Sequence, residues 1–533
     1  MATTFNRRSI IGGLVAGTLL ARGGIGFAAE ALKVAPLDDA TIDTLAADFM
    51  KAFDVPGLSV CVVRPGQAPF AKGYGVRTLG QPGAVDGHTL FAVASNSKAF
   101  TSAALALLVD EKKLAWDDPV TKHLPEFEMY DPAVTKMMTV RDLLIHNSGL
   151  PLGAGDLMFF PRTDISLAEA MHGLRYLKPD TGFRTTYAYD NQLYLVAGMI
   201  ITRITGQNWD AFVQERLLKP LGMGESVARM NAPAGDNIAG RHARLGPPVR
   251  GMGPMKVVTA GDDDTIGAAG GLRTSAHDIA AWFNVQLAKG ALPDGKRLWS
   301  EEQSAEMWKP RTITGSGPGP DEDSPNRSVL GAYALGWFVA QFRNQRILHH
   351  SGGLLGQVTQ QAMLPELGCA VAVYTNVEDG WAAYGLNRAI VDRLIGSAPF
   401  DWLAMAQKRR AKADEEALAT LGGGLPKKPE GKPSLPLAAY AGRYRDPWYG
   451  DVVIATAGKG LTIDFTRTAA FKGPLEIWGK DAFRTHFSGE DIEDAVLSFA
   501  VADGKVTGIK LKALSPLADF SFDFHDLDLK PVL

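Results

Sequence analysis

Cysteine is almost missing from these 533 residues: only Cys61 and Cys369 occur. So few exclude a scaffold stapled by disulfides. Each lies in an apolar, strand-like run, where a lone buried cysteine acts as a small apolar side chain. A bridge between the two stays open, because an oxidising compartment would permit one. An excess of one charge is also missing. Lys+Arg total 55 and Asp+Glu 58, a formal net charge of -3, and the signs are interspersed. That gives nucleic acid no electrostatic footing as a partner. No apolar run reaches the roughly 20 residues that span a bilayer as a helix, so stable membrane insertion is not expected. Neither a His-Glu-x-x-His nor a His-x-His-x-Asp-His cluster is present. His349-His350 therefore reads as a pair of strand histidines, and no metal or cofactor is called for. A Gly-x-Ser-x-Gly elbow is absent too, which argues against hydrolases that carry their serine on that turn. No internal repeat is seen.

What is present begins at the N-terminus. Asn6-Arg7-Arg8-Ser9-Ile10-Ile11 precedes an uncharged Gly/Ala/Leu-rich stretch over 12–21, and small residues follow at Ala28, Ala29 and Ala31. Paired arginines before a mildly apolar core resemble a twin-arginine export signal, with an ordinary Sec signal as the alternative. Residues 1–31 are thus expected to direct export, and the mature chain to be periplasmic. Short β-branched or apolar runs at 58–63, 70–76, 335–342, 347–350, 358–364 and 369–374 predict strands. Ala/Leu-rich sequence free of Gly and Pro predicts a buried helix over 97–109, with further helices over 194–204 and 275–287. Strands at both ends of 32–399 with helices between them imply one α/β domain bearing a helical subdomain. Residues 400–436 are expected as a charged, solvated helix and a Gly/Pro/Lys-rich linker. From 437 to 533 apolar and polar positions alternate between Gly-rich turns, as in Leu461-Thr462-Ile463-Asp464-Phe465. That predicts an all-β module, a sandwich or a small barrel.

Three segments carry chemistry. Ser95-Asn96-Ser97-Lys98 enters the Ala/Leu-rich helix. A hydroxyl is a poor nucleophile at neutral pH and needs a nearby base, and positions three apart share a helix face, so Lys98 can reach Ser95. Free N–H groups and the dipole at a helix start favour negative charge, which helps to lower the Lys98 pKa and to hold an oxyanion. Tyr189-Asp190-Asn191 precedes the second helix. A phenol beside an ammonium can accept the serine proton, and Asn191 offers both a donor and an acceptor to Lys98 and to a substrate amide. His350-Ser351-Gly352-Gly353 ends a strand, where glycines let a substrate backbone approach the edge. Each segment alone also fits a bland reading: a capped surface helix, a core tyrosine, a histidine at a turn. Asp262-Asp263-Asp264 could receive a peptide amine, but reads more simply as a solvated loop.

In this order and spacing the three segments resemble the serine β-lactamase and penicillin-binding-protein superfamily, most closely its class C-like branch of β-lactamases, esterases and D-amino-acid-specific peptidases. Leu144-Ile145-His146-Asn147-Ser148-Gly149-Leu150, Leu221-Gly222-Met223 and Ala269-Gly270-Gly271-Leu272 add to the likeness, which spans roughly 40–395. The resemblance implies an antiparallel sheet flanked by helices and metal-free acyl transfer. Ser95 would be the nucleophile, Lys98 its proton partner and Tyr189 the general base. The oxyanion hole would be the backbone N–H groups of Ser95 and Gly353, with Asn191, His350 and Gly352 binding substrate. Many members carry Lys-Thr-Gly where His350 stands here, and neutral imidazole attracts a substrate carboxylate less than ammonium does, which speaks against efficient penicillin hydrolysis. The substrate class is a small molecule or short peptide. Peptidase or amidase leads, with esterase, β-lactamase and a non-catalytic penicillin-binding sensor kept open; the oligomeric state is not legible. Tyr440-Ala441-Gly442-Arg443-Tyr444 and Pro447-Trp448-Tyr449-Gly450 resemble the lipocalin-like domain often fused to these hydrolases, which implies a barrel that covers or shapes the substrate cleft, with a module that only adds stability as the alternative.

Overall fold

The computed structural model describes residues 33–532 apart from 231–234, 248, 260–263, 317–324, 326–327, 329, 423–425 and 490–491. The expected export signal, 1–31, and Asp262-Asp263 lie outside the described residues.

Seven consecutive buried residues, Gly57–Val63, form β1, as a strand covered on both faces must. Around it runs an eight-stranded sheet made of β2 (Phe70–Gly75), β3 (Thr312–Ser316), β4 (Leu330–Tyr333), β5 (Phe338–Phe342), β6 (Gln345–Leu354), β7 (Gln357–Leu364) and β8 (Cys369–Thr375). The spatial order is β2-β1-β8-β7-β6-β5-β4-β3, and neighbours pair antiparallel. The first and last strands of the domain are thus adjacent, which ties both ends of the α/β domain to one scaffold. The expected strand over 335–342 starts three residues later, because Ala334 and Trp337 close a turn there.

Alternation along β1 and β8 divides the core. Val60, Val62, Val371 and Val373 face a layer holding α1 (Asp39–Phe53), whereas Cys61, Ala370 and Ala372 face the layer that holds α2 (Lys98–Asp110), α3 (Gln192–Thr205) and α4 (Ala276–Leu287). Ser275 caps α4 by accepting the Asp278 N–H at 3.1 Å. The same alternation settles the cysteines, which are free and buried. Cys61 pairs with Ala372, three residues from Cys369. An odd offset points the thiols to opposite faces and adds roughly 10 Å along the strand, beyond disulfide reach.

α5 (Gly380–Ile395) completes the β1–β8 layer, and α6 (Trp402–Leu421) packs on it. The latter helix is charged as expected but not wholly solvated. Trp402 and Ala406, one turn apart, are buried, and Trp402 Nε1 donates to Asp392 Oδ2 at 3.1 Å. Trp402→Ala is expected to lower the urea unfolding free energy by about 3–5 kcal/mol, the cost of emptying an aromatic site.

The C-terminal strands close into a barrel. β9 (Gly442–Asp446), β10 (Gly450–Ala457), β11 (Gly460–Phe465), β12 (Lys472–Gly479), β13 (Ala482–Thr485), β14 (Ala495–Ala502), β15 (Lys505–Ala513) and β16 (Asp528–Pro531) pair in chain order, and β16 returns to β9. Closure leaves no strand edge to cover. Buried rings fill the interior, among them Tyr440, Phe465, Phe471, Phe483 and Phe524. The barrel rests on the helical subdomain, where Arg467 pairs with Asp164 and with Glu169 (3.0 Å), and the Asp164 N–H donates to the Arg467 carbonyl at 3.0 Å.

Candidate active site

Ser95 lies in a single tight turn, Ala94–Ser97, that leads directly into α2. Ala94 takes φ 49°, a left-handed conformation that costs a non-glycine residue about 1–3 kcal/mol and persists only when its surroundings impose it. Those surroundings are hydrogen bonds on both sides. Val93 N–H donates to the Leu272 carbonyl, Leu272 N–H to Ser97 Oγ (3.0 Å), and Asn96 Nδ2 to Thr359 Oγ1 (2.8 Å).

Lys98 is fully buried. Its Nζ lies 3.2 Å from Ser95 Oγ, 2.7 Å from Asn191 Oδ1 and 3.0 Å from the Ala269 carbonyl oxygen. All three partners are uncharged. The rings of Tyr189 and Tyr194 stand 4.7 and 5.1 Å from the same nitrogen. Burial lowers the Lys98 pKa to about 7, with the carboxylates of Asp156 and Asp190 opposing it. Tyr189 is titrated the other way. Burial raises its pKa well above that of a free phenol, with Ser95 as the neighbour that offsets part of the rise, and its hydroxyl makes no well-formed hydrogen bond.

The 144–150 segment holds these groups in place. His146 Nδ1 accepts the Asp190 N–H at 3.2 Å, the His146 carbonyl accepts the Ala188 N–H at 3.1 Å, and Ser148 Oγ donates to Asp190 Oδ2 at 3.1 Å. Asp190 in turn accepts the Leu193 N–H in the first turn of α3. The Ala269-Gly270-Gly271-Leu272 segment serves the other side, by supplying the carbonyl that Lys98 meets and the amide that Ser97 receives.

The third segment divides by role. His350 Nε2 is 2.9 Å from the Tyr333 hydroxyl and Nδ1 is 2.6 Å from the Ser351 carbonyl. Burial lowers its pKa to about 3, so the ring is neutral and both nitrogens are occupied. Gly352 is a spacing requirement: a Cβ there would lie 2.1 Å from the Val93 carbonyl oxygen, whereas at Gly353 it would meet open space. Among the described residues β6 pairs with β5 only as far as His349, which leaves its β5-side edge without a strand partner where it passes the Ser95 turn. A different cluster, His88, Glu225 and His277, brings three metal-capable atoms within 4.8 Å of one another but shares no residue with the Ser95 site. A cavity of about 470 Å³ bounded by Leu195, Trp209, Arg229 and Ala268 likewise excludes Ser95.

The Ser95, Tyr189–Asn191 and Ala269 segments thus meet at one lysine. The Beta-lactamase family model matches residues 42–394. The chain belongs to the Beta-lactamase family. Its curated relatives include Unguisins hydrolase ungD' of Aspergillus campestris, 29% identical over 75% of this chain and 74% of the relative, and Protein flp of Staphylococcus aureus, 26% identical over 63% and 62%. Among solved structures, the octameric penicillin-binding protein homologue from Pyrococcus abyssi superposes with a TM-score of 0.56 at 20% identity, covering 92% of this chain and 100% of that one. The D-amino acid amidase from Ochrobactrum anthropi SV3 gives 0.51 at 21% over 69% and 99%. At such identities these two establish the fold. A second family model, Domain of unknown function (DUF3471), covers 426–531, which is the barrel. Family and relatives together mark the chain as a hydrolase.

One group next to Asn191 is not singled out by the sequence. Asp156 is fully buried, and Asn191 Nδ2 spans its two oxygens at 3.3 and 3.2 Å. It sits in Gly153-Ala154-Gly155-Asp156, a short Gly/Ala stretch with no motif of its own, and only the tertiary fold brings it beneath Asn191.

Proposed function

We propose that this chain is a serine hydrolase that cleaves an amide bond, in a small molecule or short peptide, through an acyl-enzyme on Ser95. The observation that carries the reading is the environment of Lys98: a fully buried amine with, among the described residues, no anion in contact. As a neutral amine it donates its two N–H bonds to Asn191 Oδ1 and the Ala269 carbonyl. Its lone pair is then left for the Ser95 hydroxyl. Lys98 takes the Ser95 proton as Oγ bonds to the substrate carbonyl carbon. The oxyanion forms against the backbone N–H groups of Ser95 and Gly353. The proton passes to the amine as the C–N bond breaks, and water releases the acyl group. Tyr189, kept neutral by burial, relays or donates a proton, so the base role that resemblance gives to it moves to Lys98.

Two further observations favour an amide. The unpaired β6 edge beyond His349 can take an extended peptide backbone as an added strand, and the named relatives and neighbours include a hydrolase and an amidase. A β-lactam reading is weakened by neutral His350, which offers no cation to a carboxylate. The arginine-paired N-terminus supports export to the periplasm.

The test is a substrate panel on the purified enzyme: p-nitroanilide peptides, p-nitrophenyl esters and nitrocefin. Turnover of the anilides above the other two is expected. Ester turnover alone would make it an esterase, and nitrocefin turnover alone a β-lactamase. A covalent adduct with no turnover of any would make it a sensor.

A further inference from the structure

We propose that the segment joining β15 to β16 of the barrel belongs to the catalytic site's support, with Ser521 and Asp523 as positioning residues that hold Asp156 beneath Asn191 and Lys98. This deepens the Ser95–Lys98 reading and rests on it.

The hydrogen bonds form one unbroken path. Ser521 Oγ donates to Asp156 Oδ2 at 2.9 Å, Asn191 Nδ2 donates to both Asp156 oxygens, and Asn191 Oδ1 accepts from Lys98, which lies against Ser95 Oγ. Asp523 pins the turn that carries Asp156: its Oδ2 accepts the Gly155 N–H at 2.6 Å and its Oδ1 the Leu157 N–H at 3.2 Å. Neighbouring rings pack at the contact. Phe522 meets the Phe160 ring edge-on at 5.4 Å, and the Phe520 ring lies where a Cβ on Gly153 would be.

The path has a chemical purpose. An ionised carboxylate only accepts hydrogen bonds. Asp156 therefore forces the NH₂ end of Asn191 toward itself and the oxygen end toward Lys98. Without it the amide can turn over and present N–H to the amine, which would compete for the lone pair that Ser95 needs. Burying two carboxyls, Asp156 and Asp523, at a contact between a barrel and its neighbour is costly unless they are held and used.

The charges around the path set a measurable consequence. Asp156 is faced by Lys98 from α2, by Asp190 from the residues before α3, and by Asp523 from the barrel; Asp526 in turn faces Asp523. Lys98 is faced by Asp156 and Asp190, by the rings of Tyr189 and Tyr194, and by His146 and His350, both kept neutral by burial. The Asp156 pKa stands at about 7, raised by burial, and the hydrogen bonds from Ser521 and Asn191 keep it below where burial alone would put it. Loss of the Ser521 hydroxyl therefore favours protonated Asp156. Its charge no longer helps Lys98 to keep a proton, and Lys98 becomes neutral at lower pH.

The experiment is the pH dependence of Ser95 acylation by a fluorophosphonate, followed by intact mass, in the full-length wild type, Ser521→Ala, Ser521→Thr and Asp156→Asn. Ser521→Ala is expected to fold with wild-type stability to heat, to label about tenfold more slowly on the alkaline plateau, and to move the acid limb down by roughly half a pH unit; Asp156→Asn should move it by about one. Ser521→Thr, which keeps the hydroxyl, should restore both rate and limb. Labelled wild type with a coincident Ser521→Ala limb would overturn the relay alone, whether or not Asp156→Asn folds. No adduct on wild type would overturn the hydrolase reading and the relay with it.

Discussion

Ser95→Ala is expected to abolish fluorophosphonate labelling and to cut turnover about 10⁴-fold, with Lys98→Ala nearly as severe and the double variant hardly worse than either, because residues that act as one unit are not additive. Folding is not expected to fail in the first case, since the Ser95 hydroxyl adds one contact to a turn that Leu272, Thr359 and Val93 already hold. In Lys98→Ala the loss is chemical and local: Asn191 Oδ1 and the Ala269 carbonyl each lose a donor. Wild-type acylation should rise with pH through about 7, where Lys98 sheds its proton. The sign follows from the role: the reactive form is the neutral amine, so protons inhibit. Tyr189→Phe separates the two candidate bases. A phenol held neutral by burial can be removed with the acid limb unmoved, whereas a Tyr189 base would take the limb with it. Normal rates in Lys98→Ala would refute the mechanism.

Gly352→Ala carries the second largest expected effect, and Gly353→Ala is its control. At Gly352 the new methyl collides with the Val93 carbonyl oxygen at 2.1 Å and with Thr359 Oγ1 at 2.5 Å. Val93 is backbone and cannot step aside without moving Ala94 and Ser95, so the nucleophile shifts relative to Gly353. A misplacement near 1 Å can cost about 100-fold in rate, and the overpacking should remove about 1–3 kcal/mol of stability. At Gly353 the methyl meets nothing; stability should stay within about 0.5 kcal/mol, and bulky acyl groups alone should react more slowly. Acylation rates with small and large phosphonates, together with urea midpoints, check both. Equal behaviour of the two variants would show that the Val93–Gly352 approach does not set the site.

Much of this was legible before any coordinates. The strands at 58–63, 358–364 and 369–374 are short β-branched or apolar runs in the sequence, but their burial on both faces appears only in the fold, and the Ala/Leu-rich stretch after Lys98 has no Gly or Pro to end a helix early. Ser95, Lys98, Tyr189 and Asn191 come forward as candidates through the resemblance that their segments carry together, and the fold places Ser95 and Asn191 at the Lys98 amine with the Tyr189 ring beside it. Other features were not legible. His350 has the same identity whatever surrounds it, and its bonds to Tyr333 and Ser351 appear only in the fold. The helix at 402–421 looks fully solvated because its buried stripe amounts to Trp402 and Ala406.

The amino-acid order by itself determined the elements and the chemical inventory: which runs become strands, where a helix can begin, and which hydroxyl, amine, phenol and amide are on hand. These follow from interactions among residues close along the chain. Tertiary structure alone decided that Lys98 has no anion in contact, that Asp156 lies under Asn191, and that Ser521 reaches them from a barrel 365 residues away along the chain. Burial and electrostatics depend on what surrounds a group in space, and those neighbours come from distant segments whose local patterns carry no mark of the meeting.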